Sequence, residues 1–230
     1  LNEQRWLPWL APQLPLPVPE PIFCGKPTAY YPYHWSLQNW IAGQAADVAP
    51  PSPRESEVLA SFLQTLHSIP VPEGAPRNPV RDCALAAKAE DMALRMEMLG
   101  RETQYITDAV KYAWDQALIA PSARHRCFIA GDMHARNILT HEGKLAAIID
   151  WGDMCAGDPA TDFMSVWGLF EDQAARRTVF SCYEADESLV RRAKGWAIFS
   201  GVILLHTGRA DTPRHARMGE VILRRITADG

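Results

Sequence analysis

No apolar run in this chain is long enough to suggest a bilayer span. The longest candidate, Trp196 to Leu205, is short and is interrupted by Ser200 and Gly201. There is no basic excess: the formal net charge is -4, so no global field attracts nucleic acid or anionic lipid. Aromatic residues do not interleave with a basic stripe, which argues against a single-strand binding platform. The arginine pairs Arg191-Arg192 and Arg224-Arg225 read as solvated helix faces. The five cysteines (Cys24, Cys83, Cys127, Cys155, Cys182) are odd in number and dispersed, and form no CxxC pair. With no secretory segment, that pattern points to reduced thiols in a cytoplasm rather than a disulfide framework. His134 and His141 with Asp153 lack the helical H-E-x-x-H spacing of a zinc site, and Ser36 and Ser165 lack a nucleophile elbow. The fourteen glycines form no GxGxxG pattern, and Lys26 is the only lysine before Lys88. A glycine-rich phosphate flap and its companion strand lysine are therefore absent from these residues. Nor does the sequence begin with Met, so we expect a processed, cloned or truncated form of something longer.

What is present is an ordinary folding composition, 47% hydrophobic and 22% charged over 230 residues, enough for one large domain or two small ones. Residues 1–11 predict a helix with Trp6, Leu7 and Leu10 on one side, provided Pro8 falls within its first turn. Prolines alternate over residues 12–21, which predicts a stiff extended connector. Its Leu14, Leu16 and Val18 suit packing onto the domain better than an SH3-type ligand. Strands are expected at 22–24 and 33–37, joined through Gly25 and Pro27. Residues 50–53 form a loop, after which Ser52 or Ser56 could cap a helix whose core face is Val58, Leu59, Phe62, Leu63 and Leu66. His67 suits that helix's C-terminus. Two further helices are expected at 82–99 and 103–118, separated by Gly100, with Met92, Met96 and Leu99 as an apolar stripe. A strand at 127–129 precedes a hairpin of 138–140 and 145–149 around His141-Glu-Gly143. From Pro159 onward the pattern is mostly helical.

The chemistry concentrates in Ala130-Gly-Asp-Met-His-Ala-Arg-Asn-Ile-Leu139 and Ile148-Ile-Asp-Trp-Gly152. Asp132 sits in a loop between a strand and a hairpin, Asn137 enters from one hairpin arm, and Asp150 ends the other. Singly, each suits a turn or cap. As an ordered set they suit magnesium-dependent phosphoryl transfer: Asp132 takes or orients a hydroxyl proton, while Asn137 and Asp150 offer hard oxygen ligands to a metal bridging ATP phosphates.

These segments, with Gly157-Asp-Pro-Ala-Thr-Asp-Phe163, resemble the aminoglycoside phosphotransferase family. The resemblance implies an α+β, protein-kinase-like fold with a mostly helical C-terminal lobe. On it, Asp132 is the catalytic base, Asn137 and Asp150 are Mg²⁺ ligands, and His134 braces the catalytic loop. Asp158 and Asp162 hold the loop-to-helix junction, where Asp158 before Pro159 also reads as an N-cap. Glu3 would match the helix glutamate that pairs with an ATP-binding lysine, and Gln38, Asn39, Trp40 and Ile41 would meet the adenine. Ala130 departs from the family's usual histidine there. Residues 1–41 would then be a partial N-lobe with the hinge, lacking its first strands, and residues 42–230 the C-lobe. The implied ligands are Mg²⁺, ATP or GTP, and a small hydroxylated acceptor: an aminoglycoside or other antibiotic, or an endogenous sugar or amino alcohol. The helices of residues 82–118 mix acidic and basic side chains and do not select among these. Two alternatives stay open: a truncated kinase-like module that binds without turnover, and an interaction module using the proline tract. Oligomeric state is not encoded legibly.

Overall fold

The fold is built around two short antiparallel pairings that enter and leave one loop. The computed structural model describes residues 2–229. Strand β4 (Cys127–Ile129) leads into the loop and β5 (Ile138–His141) leaves it. The chain turns at Glu142 and Gly143, both at positive φ (50° and 75°), and returns as β6 (Lys144–Ile148). Two successive left-handed residues suit the right-handed twist of a tight hairpin, and Gly143 meets that requirement without strain. Strand β7 (Cys155–Gly157) then pairs with β4, matching Ile129 to Cys155 and Cys127 to Gly157. On the other side, β3 (Gln44–Ala45) pairs with β5, giving the order β3-β5-β6. Strands β1 (Pro21–Gly25) and β2 (Trp35–Gln38) form a separate hairpin ahead of them.

Helices supply the remaining bulk. They are α1 (Asn2–Leu10), α2 (Glu55–Ser68), α3 (Ala89–Glu102), α4 (Asp108–Ile119), α5 (Ser165–Leu169), α6 (Gln173–Cys182), α7 (Glu187–Asp211) and α8 (Pro213–Ala228). Thr107, Asp158, Asp172 and Asp186 each accept a backbone N–H at a helix start, as short oxygen side chains do. The long α7 packs against α8 through small residues: a Cβ on Gly219 would lie 2.4 Å from the Gly201 carbonyl, so only glycine allows this approach. Trp151, Trp167, Trp196, Phe62, Phe128 and Phe163 fill the core between sheets and helices. No helix among the described residues is long and apolar enough to cross a membrane.

Several sequence expectations are corrected. Residue 1 of the first predicted helix lies outside the described residues, and Pro8 stands beyond the first turn. A proline in a helix interior costs about 3 kcal/mol. Burial of Trp6, Leu7 and Leu10 offsets it, at roughly 1.5–3 kcal/mol for each large side chain. The proline tract begins with a 3-10 turn, Ala11–Gln13, before running extended with Leu16 and Val18 buried. Neither Ser52 nor Ser56 caps α2. Arg54 stands at that position, and the Ser56 hydroxyl donates to the Pro53 carbonyl instead. Val58 faces solvent, while Ser56 and Ala60 take places on the buried face. Gly100 does not separate two helices: it lies inside α3, and residues 85–88 form a 3-10 turn ahead of it.

The cysteines divide by environment. Cys24 and Cys182 are exposed, Cys83 is half-buried, and Cys127 and Cys155 are buried. Burial pushes the Cys155 thiol up to about 12 and the Cys127 thiol further still, so both stay protonated and unreactive at neutral pH. Maleimide labelling followed by peptide mass spectrometry is expected to modify Cys24 and Cys182 first, and Cys127 and Cys155 only on unfolding.

Candidate active site

The loop after β4 is shaped by Gly131. Its φ is +85°, and a Cβ there would lie 2.6 Å from the Asp153 carbonyl oxygen. That close approach lets the chain turn and present Asp132. The loop is then closed by its own backbone: His134 N–H donates to the Asp132 carbonyl at 2.9 Å, and Asn137 N–H to the His134 carbonyl at 2.9 Å. The Asn137 side-chain amide nitrogen donates to the Asp132 carbonyl at 3.0 Å and lies 3.4 Å from Asp132 Oδ2. With its nitrogen committed to Asp132, Asn137 has its amide oxygen left for a cation.

Asp150 is tied to the same loop. Ile149 N–H donates to the Asn137 carbonyl at 2.8 Å, which ties the residue before Asp150 to the loop. Asp150 adopts φ 60°, uncommon for a non-glycine residue, and its side chain is exposed. The following amide, Trp151 N–H, donates to Glu3 Oε1 at 3.0 Å, so Glu3 on α1 anchors the turn that carries Asp150. Asn137 and Asp150 fit Mg²⁺, which takes few protein oxygens and fills its remaining positions with water and phosphate oxygens. The described residues hold no cluster of three or more His, Cys, Asp or Glu able to bind a metal.

A cavity of about 600 Å³ opens beside this turn. Glu3, Gln38, Asn39, Trp40, Ile41 and Asp150 all line it, together with Arg136 and Arg214. The structure thus brings the proposed hinge residues, the helix glutamate and one metal candidate, Asp150, to one space, while Asn137, the other metal candidate, is not among its lining residues. Asp132 does not line it. His134 lines a different cavity, behind the loop. Its Nε2 is 3.6 Å from Asp132 Oδ2, too far for a hydrogen bond, and its Nδ1 is buried without a partner. The bracing expected of the His134 side chain is instead provided by its backbone and by Asp162. The fully buried Asp162 carboxylate accepts from Ala130 N–H at 2.9 Å and Gly131 N–H at 2.8 Å. Asp158 caps the turn that follows, accepting from Ala160 N–H, and pairs with Arg192 at 2.6 Å.

Two residues were not read from sequence as belonging to the site. Arg81 Nη2 lies 2.5 Å from Asp132 Oδ1, and its Nε lies 3.0 Å from Asp153 Oδ2. Arg81 therefore bridges Asp132 and Asp153, one cation shared between two carboxylates. His67 does more than end α2: its Nε2 is 3.2 Å from Asp162 Oδ2 and its Nδ1 2.9 Å from the Tyr183 hydroxyl. The only sequence signal for either was chemical type, because their partners lie 51 and 95 positions away.

A model of the phosphotransferase enzyme family matches residues 1–195. The chain belongs to this family. Among solved structures, the GDP and kanamycin complex of an APH(2″) enzyme is similar over 100% of this chain and 82% of its own, at 20% identity and a TM-score of 0.65. The GDP complex of an aminoglycoside 2'-phosphotransferase-IIIa covers 99% and 81%, at 18% identity and a TM-score of 0.63. The apoenzyme of a macrolide 2'-phosphotransferase from Brachybacterium faecium covers 96% and 78%, at 18% identity and a TM-score of 0.54. No match is found among curated proteins. This phosphotransferase-family chain therefore has the protein-kinase-like α+β fold, and its Asp132 loop and Asp150 turn lie within the matched residues.

Proposed function

We propose that the chain transfers the terminal phosphate of ATP or GTP, with Mg²⁺, to a hydroxyl of a small molecule. One arrangement carries this reading: Asn137 is bound to Asp132 through its amide nitrogen and to the Asp150 turn through its carbonyl. Asp132 orients the acceptor hydroxyl and takes its proton, a role in which position matters more than basicity. Asn137 Oδ1 and the Asp150 carboxylate hold Mg²⁺, which supplies charge neutralisation on the phosphates when bound. Glu3 fixes the Asp150 turn, and Gln38 to Ile41 form the wall for the nucleotide base. Residues 1–41 act as a partial N-lobe with hinge, and residues 42–230 as the C-lobe. The acceptor is an antibiotic such as an aminoglycoside or macrolide, or a metabolite such as a sugar or amino alcohol. The family name does not choose among them.

Incubation with MgATP or MgGTP and a hydroxylated acceptor panel, read by product mass, tests the proposal; no phosphorylated product from any acceptor counts against it. Asp150→Asn is expected to lower turnover, by weakening metal affinity, at least as much as the ~10–100-fold typical of losing a residue that only orients a metal ligand. Nucleotide binding measured without metal should stay as in the parent. Equal Mg²⁺ dependence in the variant and the parent would remove Asp150 from the metal site. The Arg81–Asp132 pair favours a second reading, a kinase-like module that binds nucleotide without turnover. Calorimetry with MgATP followed by product analysis separates the two: binding with transfer dismisses it, and binding alone supports it.

A further inference from the structure

Behind the catalytic loop lies a second cavity, of about 320 Å³, between the segment after β3, the His134 turn, and helices α5, α7 and α8. That size falls at the lower edge of the roughly 300–1,000 Å³ typical of ligand pockets. Its walls are of two kinds. Met164, Val221 and Ile222 are among its apolar contributors, and Arg214, Arg217 and Arg225 supply guanidinium groups. Asp47 is the one carboxylate in the lining, and Arg214 already engages it twice, at 2.5 and 2.6 Å.

The other two arginines differ in setting: Arg217 is exposed and Arg225 is half-buried, with Glu171 its nearest acidic influence. Neither Arg217 nor Arg225 makes an ion pair among the described residues. Arg225 donates only to the carbonyls of Trp167 and Gly168, each at 2.9 Å, and its Nε has no partner. A half-buried cation held by carbonyls alone is under-compensated. Burial and then the neighbouring Arg176 bring its pKa down to about 10, with Glu171 opposing them. Unbalanced positive charge thus faces an apolar space of ligand size.

We propose that this cavity binds a small amphiphilic anion, its head group on Arg217 and Arg225 and its apolar body against Met164, Val221 and Ile222. Guanidinium forks suit a carboxylate or a phosphate ester. Through Arg214, which lines both spaces, the site adjoins the nucleotide cavity, and through His134 it touches the catalytic loop. It exists whether or not the chain transfers phosphate.

Calorimetry on the whole chain without nucleotide tests it, with octanoate as probe against octylamine and octanol. The expected result is saturable binding of one octanoate per chain, at least tenfold tighter than either control. Arg225→Gln should weaken it about tenfold or more, and Val221→Trp should block it by filling the space. Melting curves show that each variant folds. If a variant does not fold, the comparison of head groups on the parent chain still decides. Octylamine or octanol binding as well as octanoate, or folded variants that bind normally, would overturn the site. So would displacement of octanoate by ADP, which would move the probe into the nucleotide cavity.

Discussion

Replacing Asp132 by alanine is expected to lower phosphate transfer by ~10²–10⁴-fold, the range for loss of a positioned general base. Nucleotide affinity should be unchanged, because Asp132 does not line the cavity shared by the hinge, Glu3 and Asp150. The split between turnover and binding is the informative part. Asp132→Asn sharpens it, since it keeps the side-chain size beside Asn137 while removing the proton acceptor. Rates measured at saturating MgATP with an acceptor from the panel decide the matter. A variant with near-parental turnover would end the base assignment, and one that lost nucleotide affinity would show that the loop had moved.

Asp162→Ala is expected to be the most damaging substitution away from the reacting atoms. The carboxylate is fully buried and serves three donors: Ala130 N–H, Gly131 N–H and the His67 ring. Alanine leaves two buried backbone donors unpaired, and breaking such a buried charged network costs on the order of 3–5 kcal/mol. For a chain of this size that corresponds to a fall in Tm of roughly 6–20 °C. Differential scanning calorimetry reads it directly. A shift of no more than a degree or two would mean that water or a rearranged His67 replaces the carboxylate, and that Asp162 does not hold the loop.

Local chemistry was legible, and distant partnership was not. The β5–β6 hairpin followed from the short apolar runs on either side of His141-Glu-Gly143, whose turn requirements are local. Asp158 before Pro159 read as a cap and is one, because a cap bonds only two residues onward. The route from Asp132 through Asn137 to Asp150 was visible because loop and hairpin fix it within a short span. Strand β7 escaped notice: Cys155-Ala-Gly157 has no periodic pattern, and its strand character comes from β4, which ends 26 residues earlier. Arg81 and His67 were invisible as site residues for the same reason. Gly100 misled because glycine's weak helix propensity was outweighed by the packing of Met92, Met96 and Leu99 on one helix.

The Arg81 contact has a consequence for which oxygen of Asp132 is free. While the guanidinium holds Asp132 Oδ1, that oxygen is engaged and cannot serve a stray water molecule. On the proposed reading, Oδ2, which the Asn137 side-chain nitrogen approaches only to 3.4 Å, is the oxygen left to receive the acceptor hydroxyl. Which of the two oxygens takes the proton is thus set by Arg81 before any acceptor arrives.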